Sequence, residues 1–242
     1  MTDGIYVALS GAIAQTSALD ATASNLANAS TDGYQRMRPI FREALAQAGG
    51  NGTPMPSVTA STTTLDTTRG ALRVTGRSLD VTLPDKSYLA ASTTNGERYT
   101  RAGSLAVASD GTLTTSHGTP VLAEDGRPIR TDRTKGEITI TPTGEVRQCD
   151  TKIARLRVVT FAKPEQLAPE GGSLLATTAG AGAPAASTGQ LSIGSLEESN
   201  TSVVGSMTEL VTEGRNFDAF QRAIDAFHDA DHLLMTSVPG DQ

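Results

Sequence analysis

The chain has 242 residues, a formal net charge of −6, 37% hydrophobic and 4% aromatic residues, and no tryptophan. That length holds one or two domains, whose core must come from Leu, Val, Ile and Ala. Scattered arginines with no basic stripe argue against nucleic-acid binding, and Cys149, the single cysteine, excludes an intrachain disulfide.

The first element runs from Met1 to Tyr34. Apolar or small residues recur at alternating spacings of four and three, at Ile5, Leu9, Ala12, Thr16, Leu19, Ala23 and Leu26. This heptad seam, broken once by Thr16, predicts one continuous helix. From Gly4 to Thr31 the only charged residue is Asp20; Ala, Ser, Thr, Asn and Gln fill the other positions. A solvated helix face normally mixes acids and bases, and a membrane span needs about 18 consecutive apolar residues, which this stretch lacks. A helix too polar for lipid and too uncharged for water predicts contact with protein on several sides. Its few large apolar residues do not hold it as an isolated helix, so it needs a partner helix and partner subunits. Asp3 stands where a secretory signal would carry positive charge, and no apolar core or cleavage site follows, so no cleaved signal is expected.

The helix closes in Ser24-Asn25-Leu26-Ala27-Asn28-Ala29-Ser30-Thr31-Asp32-Gly33-Tyr34, where Gly33 suits the positive φ of a C-terminal cap. The run from Ser24 to Tyr34, with Asn25, Asn28, Thr31, Gly33 and the aromatic Tyr34, resembles the N-terminal signature of the bacterial flagellar rod, hook and hook-associated axial proteins.

After Tyr34, Pro39 breaks any continuous helix, and residues 40–48 are expected to add a short helical piece. Gly49-Gly50-Asn51-Gly52 with Pro54 and Pro56 reads as a loop. From about Val58 to Ile193 the chain reads as short strands with turns at Asn95-Gly96, Asp110-Gly111, Asp125-Gly126 and Thr143-Gly144; the clearest hairpin is Leu105 to Leu113. Ile153, Leu156, Val158 and Phe161 read as one longer strand segment. Gly171-Gly172 and Ala179 to Pro184 read as mobile loops. Gln148 reads as a surface residue, and Cys149 as a small core residue in a strand. Gly70-Ala71-Leu72, Ser78-Leu79-Asp80-Val81, Arg98-Tyr99-Thr100-Arg101-Ala102-Gly103-Ser104 and Asp110-Gly111-Thr112-Leu113 extend the resemblance, in the order of the rod and hook subgroup. Where that subgroup commonly has Gly-x-Gly-aromatic, this chain has Leu83-Pro84-Asp85-Lys86-Ser87-Tyr88.

The last element, Leu196 to Ser237, reads as helical, opened by Glu197-Glu198-Ser199-Asn200 with Ser199 or Asn200 as N-cap and stopped by Pro239-Gly240. Its seam is Val203, Met207, Leu210, Gly214, Phe217, Phe220, Ile224, Phe227 and Leu234, with a stammer at Gly214–Phe217–Phe220. Glu198-Ser199-Asn200 and the pair Arg215, Phe217 resemble the C-terminal signature of the same axial proteins, with Thr201 where they usually carry Val.

No arrangement reads as catalytic. His228 and His232, at i and i+4 with Asp225 nearby, have zinc-like spacing but no third ligand, and an exposed acidic helix end explains them better. His117 lies in a surface turn, and Ser195 and Ser199 have no His or Asp partner nearby in sequence. The expected fold is α+β: N- and C-terminal heptad helices (1–34 and 196–238) pairing as a coiled coil, a linker at 35–57, and an intervening all-β domain at 58–195. The residues expected at subunit interfaces are Ile5, Leu9, Ala12, Leu19, Ala23, Asn25, Leu26, Asn28, Val203, Met207, Leu210, Phe217, Phe220, Ile224 and Phe227. The resemblance covers nearly the whole chain. It implies a structural subunit of the basal-body rod, proximal by its short linker and its Asp3-Gly4-Ile5-Tyr6 start, that transmits torque to the hook and is not an enzyme. It also implies partners in other rod subunits and in copies of itself, and export by the flagellar type III apparatus into the periplasmic rod without a cleaved signal; no cofactor, metal, nucleic acid or membrane insertion is expected. The alternatives are a distal rod or short hook protein, or a soluble β-rich binding domain with a helical stalk. The heptads alone also fit a helical hairpin packed on the β domain of a monomer.

Overall fold

In the computed structural model, backbone is described for residues 2–40, 43–46, 55–58, 62–132, 135–149 and 151–237, and side chains for 9–40, 63–132, 135–149, 151–230. Two long helices, α1 (Thr2–Ala27) and α2 (Val203–Ser237), flank a series of short strands, which is the expected α+β class. The chain divides into two units. One holds residues 1–26, 37–63 and 202–242, and the other holds 27–36 and 64–201.

The first unit is built on the helix pair. Ring carbon Cε1 of Phe220 lies 2.7 Å from where a Cβ on Gly11 would stand, so only glycine lets the ring come this close. Gln15 Nε2 donates to the Glu213 carbonyl at 3.1 Å. Gly11 opposite Phe220 and Gln15 beside Glu213 make the pair antiparallel, the coiled-coil pairing that the heptads predict. On α1 the buried residues are Ala12, Ala14, Ala18, Ala21, Thr22 and Asn25. Small side chains set that face, so backbones approach closely. The larger residues Leu9 and Ile13 stay 46% and 61% exposed. Of the helical piece expected at 40–48, the described residues are strand instead: Met37–Ile40 and Glu43–Ala46 are extended, and Glu43–Ala46 pairs antiparallel with Met55–Val58. Pro39 forces its neighbour out of the helical region, and pairing overrides the helix propensity of Glu-Ala-Leu-Ala. Pro56, expected in a loop, belongs to this two-stranded ladder. Residues 49–52, Pro54 and the Pro239-Gly240 stop lie outside the described residues.

The second unit is antiparallel throughout its ladders. Its largest sheet orders six strands as Ala168–Pro169, Leu174–Ala176, Gly96–Thr100, Ser87–Thr93, Val158–Thr160 and Ala185–Ala186. A three-stranded sheet joins Ile138–Ile140, Glu145–Gln148 and Thr151–Arg155. The core is aliphatic, as composition requires: Val81, Leu83, Leu89, Leu105, Leu113 and Val146 are at most 1% exposed. The predicted hairpin forms between Leu105–Val107 and Leu113–Thr115. At its tip the Asp110 carboxylate accepts from the Thr112 amide at 3.0 Å and hydroxyl at 2.8 Å. These two bonds hold the Asp110 carboxyl below its ordinary range.

Four local expectations need correction. The strand segment through Phe161 is two strands, Thr151–Arg155 and Val158–Thr160, in different sheets. Gln148 is 5% exposed, its Oε1 accepting from the Asp132 amide and its Nε2 donating to two carbonyls. Cys149 is exposed at a turn, with φ +46°, rather than a core residue in a strand. The glycine- and alanine-rich run at 179–184 is anchored, since Ala181 is fully buried and its amide donates to the Thr178 carbonyl. Among the described residues no helix is long and apolar enough to cross a membrane.

Candidate functional site

The segments that carry the family resemblance lie far apart in sequence and meet at one buried place in the second unit. Its centre is Arg101. The residue is 3% exposed. It donates through Nε to Glu197 Oε1 at 3.1 Å and through a terminal nitrogen to Glu197 Oε2, and it donates to the carbonyls of Ser87 at 2.8 Å and Pro84 at 3.3 Å. Glu197 is 4% exposed and also accepts from the Gly70 amide at 3.3 Å. Both ends of this bidentate pair are thus nearly fully hydrogen-bonded, which is the condition for holding two charges out of water.

The turn after α1 packs on the same pair. Gly33, with φ +69°, donates its amide to the Glu197 carbonyl at 2.7 Å. A Cβ there would stand 2.3 Å from the Ala102 amide nitrogen. Gly33 is therefore needed for close approach to Arg101-Ala102, six residues beyond the end of α1, and not as the helix cap. Tyr34 is 4% exposed, and Gln35, 6% exposed, accepts from the Tyr88 hydroxyl at 3.0 Å. Arg101 lies over the Tyr88 ring at 5.8 Å. Burial raises the pKa of Tyr88. Burial, then the Glu97 hydrogen bond, pushes Tyr99 to about 12. Tyr88, Tyr99 and Phe161 stack edge-to-face, with centroids 5.9 and 4.8 Å apart.

The departure at Leu83 to Tyr88 keeps the turn. Lys86 carries a positive φ, +53°, and the Ser87 amide donates to the Pro84 carbonyl at 3.2 Å, which closes a turn without glycine. Arg98 forms a two-point pair with Glu170, 2.9 Å on one side, and the Thr100 hydroxyl donates to that of Ser173 at 3.0 Å. Hence the Arg-Tyr-Thr-Arg-Ala-Gly run is a string of structural contacts.

The C-terminal signature also differs from its sequence reading. Ser195–Glu197 is a strand, paired with Leu72–Val74, and α2 starts only at Val203, with Ser202 Oγ accepting from the Gly205 amide at 3.2 Å as the N-cap. Ser199 Oγ accepts from Thr201 instead. The Thr201 hydroxyl oxygen is buried without a hydrogen-bond partner. Thr201→Val, which removes that orphan at equal volume, is expected to stabilise the fold by about 1 kcal/mol; thermal melting checks this, and a clear loss of stability would show that the hydroxyl is satisfied in solution.

The residues expected at subunit interfaces distribute unevenly. Asn25 is 1% exposed and both its amide atoms are spent within its own unit, on the Met37 carbonyl and amide at 2.8 Å each. Asn28 organises the turn, accepting from the Thr31 hydroxyl at 3.2 Å. Ala12 is buried, and Leu19, Leu26, Leu210, Phe217, Phe220 and Ile224 are half-buried. Leu9, Ala23, Val203, Met207 and Phe227 are exposed. The side chains of Ile5, of Leu234 on the α2 seam and of His232 lie outside the described residues. Val204 and Val211, not singled out from sequence, are 75% and 56% exposed and extend the apolar strip of α2. His228 and His117 are exposed, and among the described residues no group of three or more His, Cys, Asp or Glu is placed to hold a metal.

The model for the flagella basal body rod protein family matches residues 5–35, covering α1 and the Gly33 turn. The model for the D1 domain of the flagellar hook proteins FlgE/F/G matches residues 84–148, which include Arg101. The flagellar basal-body rod protein FlgF of Escherichia coli is 34% identical over 259 residues, 98% of this chain and all of the relative. The chain belongs to the flagellar basal-body rod protein family. FlgF of Salmonella typhimurium is 35% identical over 93% of each chain, and FlgG of Bacillus subtilis is 28% identical over 93% of this chain and 94% of the relative. In this member of the rod-protein family, the family's two matched regions are brought together at the Gly33 turn and Arg101.

Proposed function

We propose that the chain is a structural subunit of the flagellar basal-body rod, placed in its proximal part, that transmits torque to the hook and performs no catalysis. The observation that carries this reading is likeness to rod proteins along almost the whole chain, joined to an apolar surface that the folded subunit leaves open. Leu9 and Ile13 on α1, and Val203, Val204, Met207 and Val211 on α2, are between 45% and 75% exposed. So many large apolar side chains on two helices mark an interaction surface. Its occupants are the helices of neighbouring rod subunits and of copies of this chain, with Leu19, Leu26, Leu210, Phe217, Phe220 and Ile224 forming the half-buried margin. The buried Arg101–Glu197 pair then serves rigidity, holding the roots of the two signatures together under load.

On the same reading the chain leaves the cytoplasm through the flagellar type III export apparatus and assembles in the periplasmic rod, without a cleaved signal, membrane insertion or nucleic-acid contact. Mass spectrometry of chain recovered from isolated basal bodies tests this route. The expected mature form retains residues 5–26, and a form beginning well beyond them would contradict uncleaved export.

A further inference from the structure

The chain passes between the two units four times, at residues 26/27, 36/37, 63/64 and 201/202. Three of these passages are gathered by one side chain. Asn200 Oδ1 accepts from the Arg36 amide at 2.6 Å. Its Nδ2 donates to the carbonyls of Asp66 and Thr68, 2.9 Å each. The ring of contacts closes around it, because the Asp66 amide donates to the Arg36 carbonyl at 2.8 Å and the Asn200 amide to the Tyr34 carbonyl at 3.3 Å. The Asp66 carboxylate accepts from the Thr68 amide at 3.0 Å and hydroxyl at 2.7 Å, an Asx turn that aims both carbonyls at Asn200. Arg36, Asp66 and Asn200 stand next to the 36/37, 63/64 and 201/202 passages.

We infer that Asn200 is the staple that makes these three passages one joint rather than three separate tethers, so that force entering by any one of them is shared by all. The inference deepens the proposed torque-bearing role and rests on it for its purpose, though not for its geometry. An amide side chain suits the task because it offers an acceptor and two donors on one short, stiff stem. Serine, aspartate or alanine at this position supplies only part of that set. The Arg36–Asp66 backbone bond contains no atom of Asn200. Its response therefore separates a joint from a local cap.

Residue-resolved hydrogen exchange on the full chain tests the staple. Asn200→Ala is expected to speed exchange of the Arg36 amide and, together with it, the Asp66 amide, on the order of tenfold or more, while the sheet amides of Tyr99 and Val159 change less than about twofold. Asn200→Asp keeps the acceptor but sets a carboxylate against two carbonyls, and it is expected to loosen Asp66 at least as much. Faster exchange at Arg36 with Asp66 unchanged would overturn the joint, and so would no change at either amide. If Asn200→Ala instead releases the sheet amides as well, Asn200 belongs to the core of the β-rich unit and the staple is again refuted. These outcomes do not depend on where the protein works. Absence of the wild-type chain from basal bodies would refute the rod reading alone.

Discussion

Replacing Glu197 with alanine is expected to destabilise the β-rich unit by about 3–5 kcal/mol, because it leaves the Arg101 guanidinium buried and unpaired. For a unit of this size each kcal/mol moves the melting temperature by roughly 2–4 °C, so the transition should fall by about 6–20 °C. Arg101 is 3% and Glu197 4% exposed, so water cannot replace the lost partner without opening the site. The damage should also spread, since the Glu197 backbone carbonyl holds Gly33 and its carboxylate holds Gly70. The double change Arg101→Met with Glu197→Leu removes both charges and should recover part of the loss, though the Ser87 and Pro84 carbonyls remain without their donor. Thermal denaturation of the full chain decides it. A single-mutant loss under about 1 kcal/mol would mean that the pair is solvated and unimportant.

A second large effect is expected where stability should not change at all. Ile13→Asp, alone or with Leu9→Asp, places a carboxylate on a face that is 61% and 46% exposed in the folded subunit. In water that charge costs little, and the melting transition should move by no more than about 1 °C. Within a dry helix–helix interface the same carboxylate costs several kcal/mol. Cells carrying the variant as their only copy should fail to incorporate it into the rod and should not swim. Normal swimming would remove this face from the interface. A collapse of the purified variant's melting transition would instead place Ile13 in the subunit's own core.

Where local chemistry decides, the sequence was readable. Asp110-Gly111, Asn95-Gly96, Asp125-Gly126 and Thr143-Gly144 all form turns with glycine at positive φ, because no L-residue other than Asn or Asp competes well there. The two long helices and their pairing followed from a 3.5-residue period sustained over many turns. Failures cluster where a distant partner overrides a local preference. Glu197-Glu198-Ser199-Asn200 looks like a helix start, yet Arg101 and the Leu72–Val74 strand pull Glu197 into a sheet. The seam on α1 follows its largest apolar residues, whereas the buried face is set by Ala14, Ala18 and Ala21. Small residues allow close backbones, and a reading weighted by hydrophobic size passes over them. Gln148 reads as surface because nothing in its own neighbourhood reveals that Asp132 and Gly136 come back to meet it. The buried pair at Arg101 is not legible in the sequence: the resemblance marks Arg101 within its run but not Glu197 as its partner. A lone Arg and a lone Glu so far apart in the chain give no physical signal of pairing.

The rod assignment itself is tested most directly by electron cryomicroscopy of intact basal bodies from the source bacterium, at a resolution that distinguishes side chains. Density for this chain is expected within the rod, with α1 and α2 running antiparallel and Leu9, Ile13, Met207 and Val211 covered by helices of neighbouring subunits. A rod fully built from other chains, with no density that this sequence fits, would contradict it.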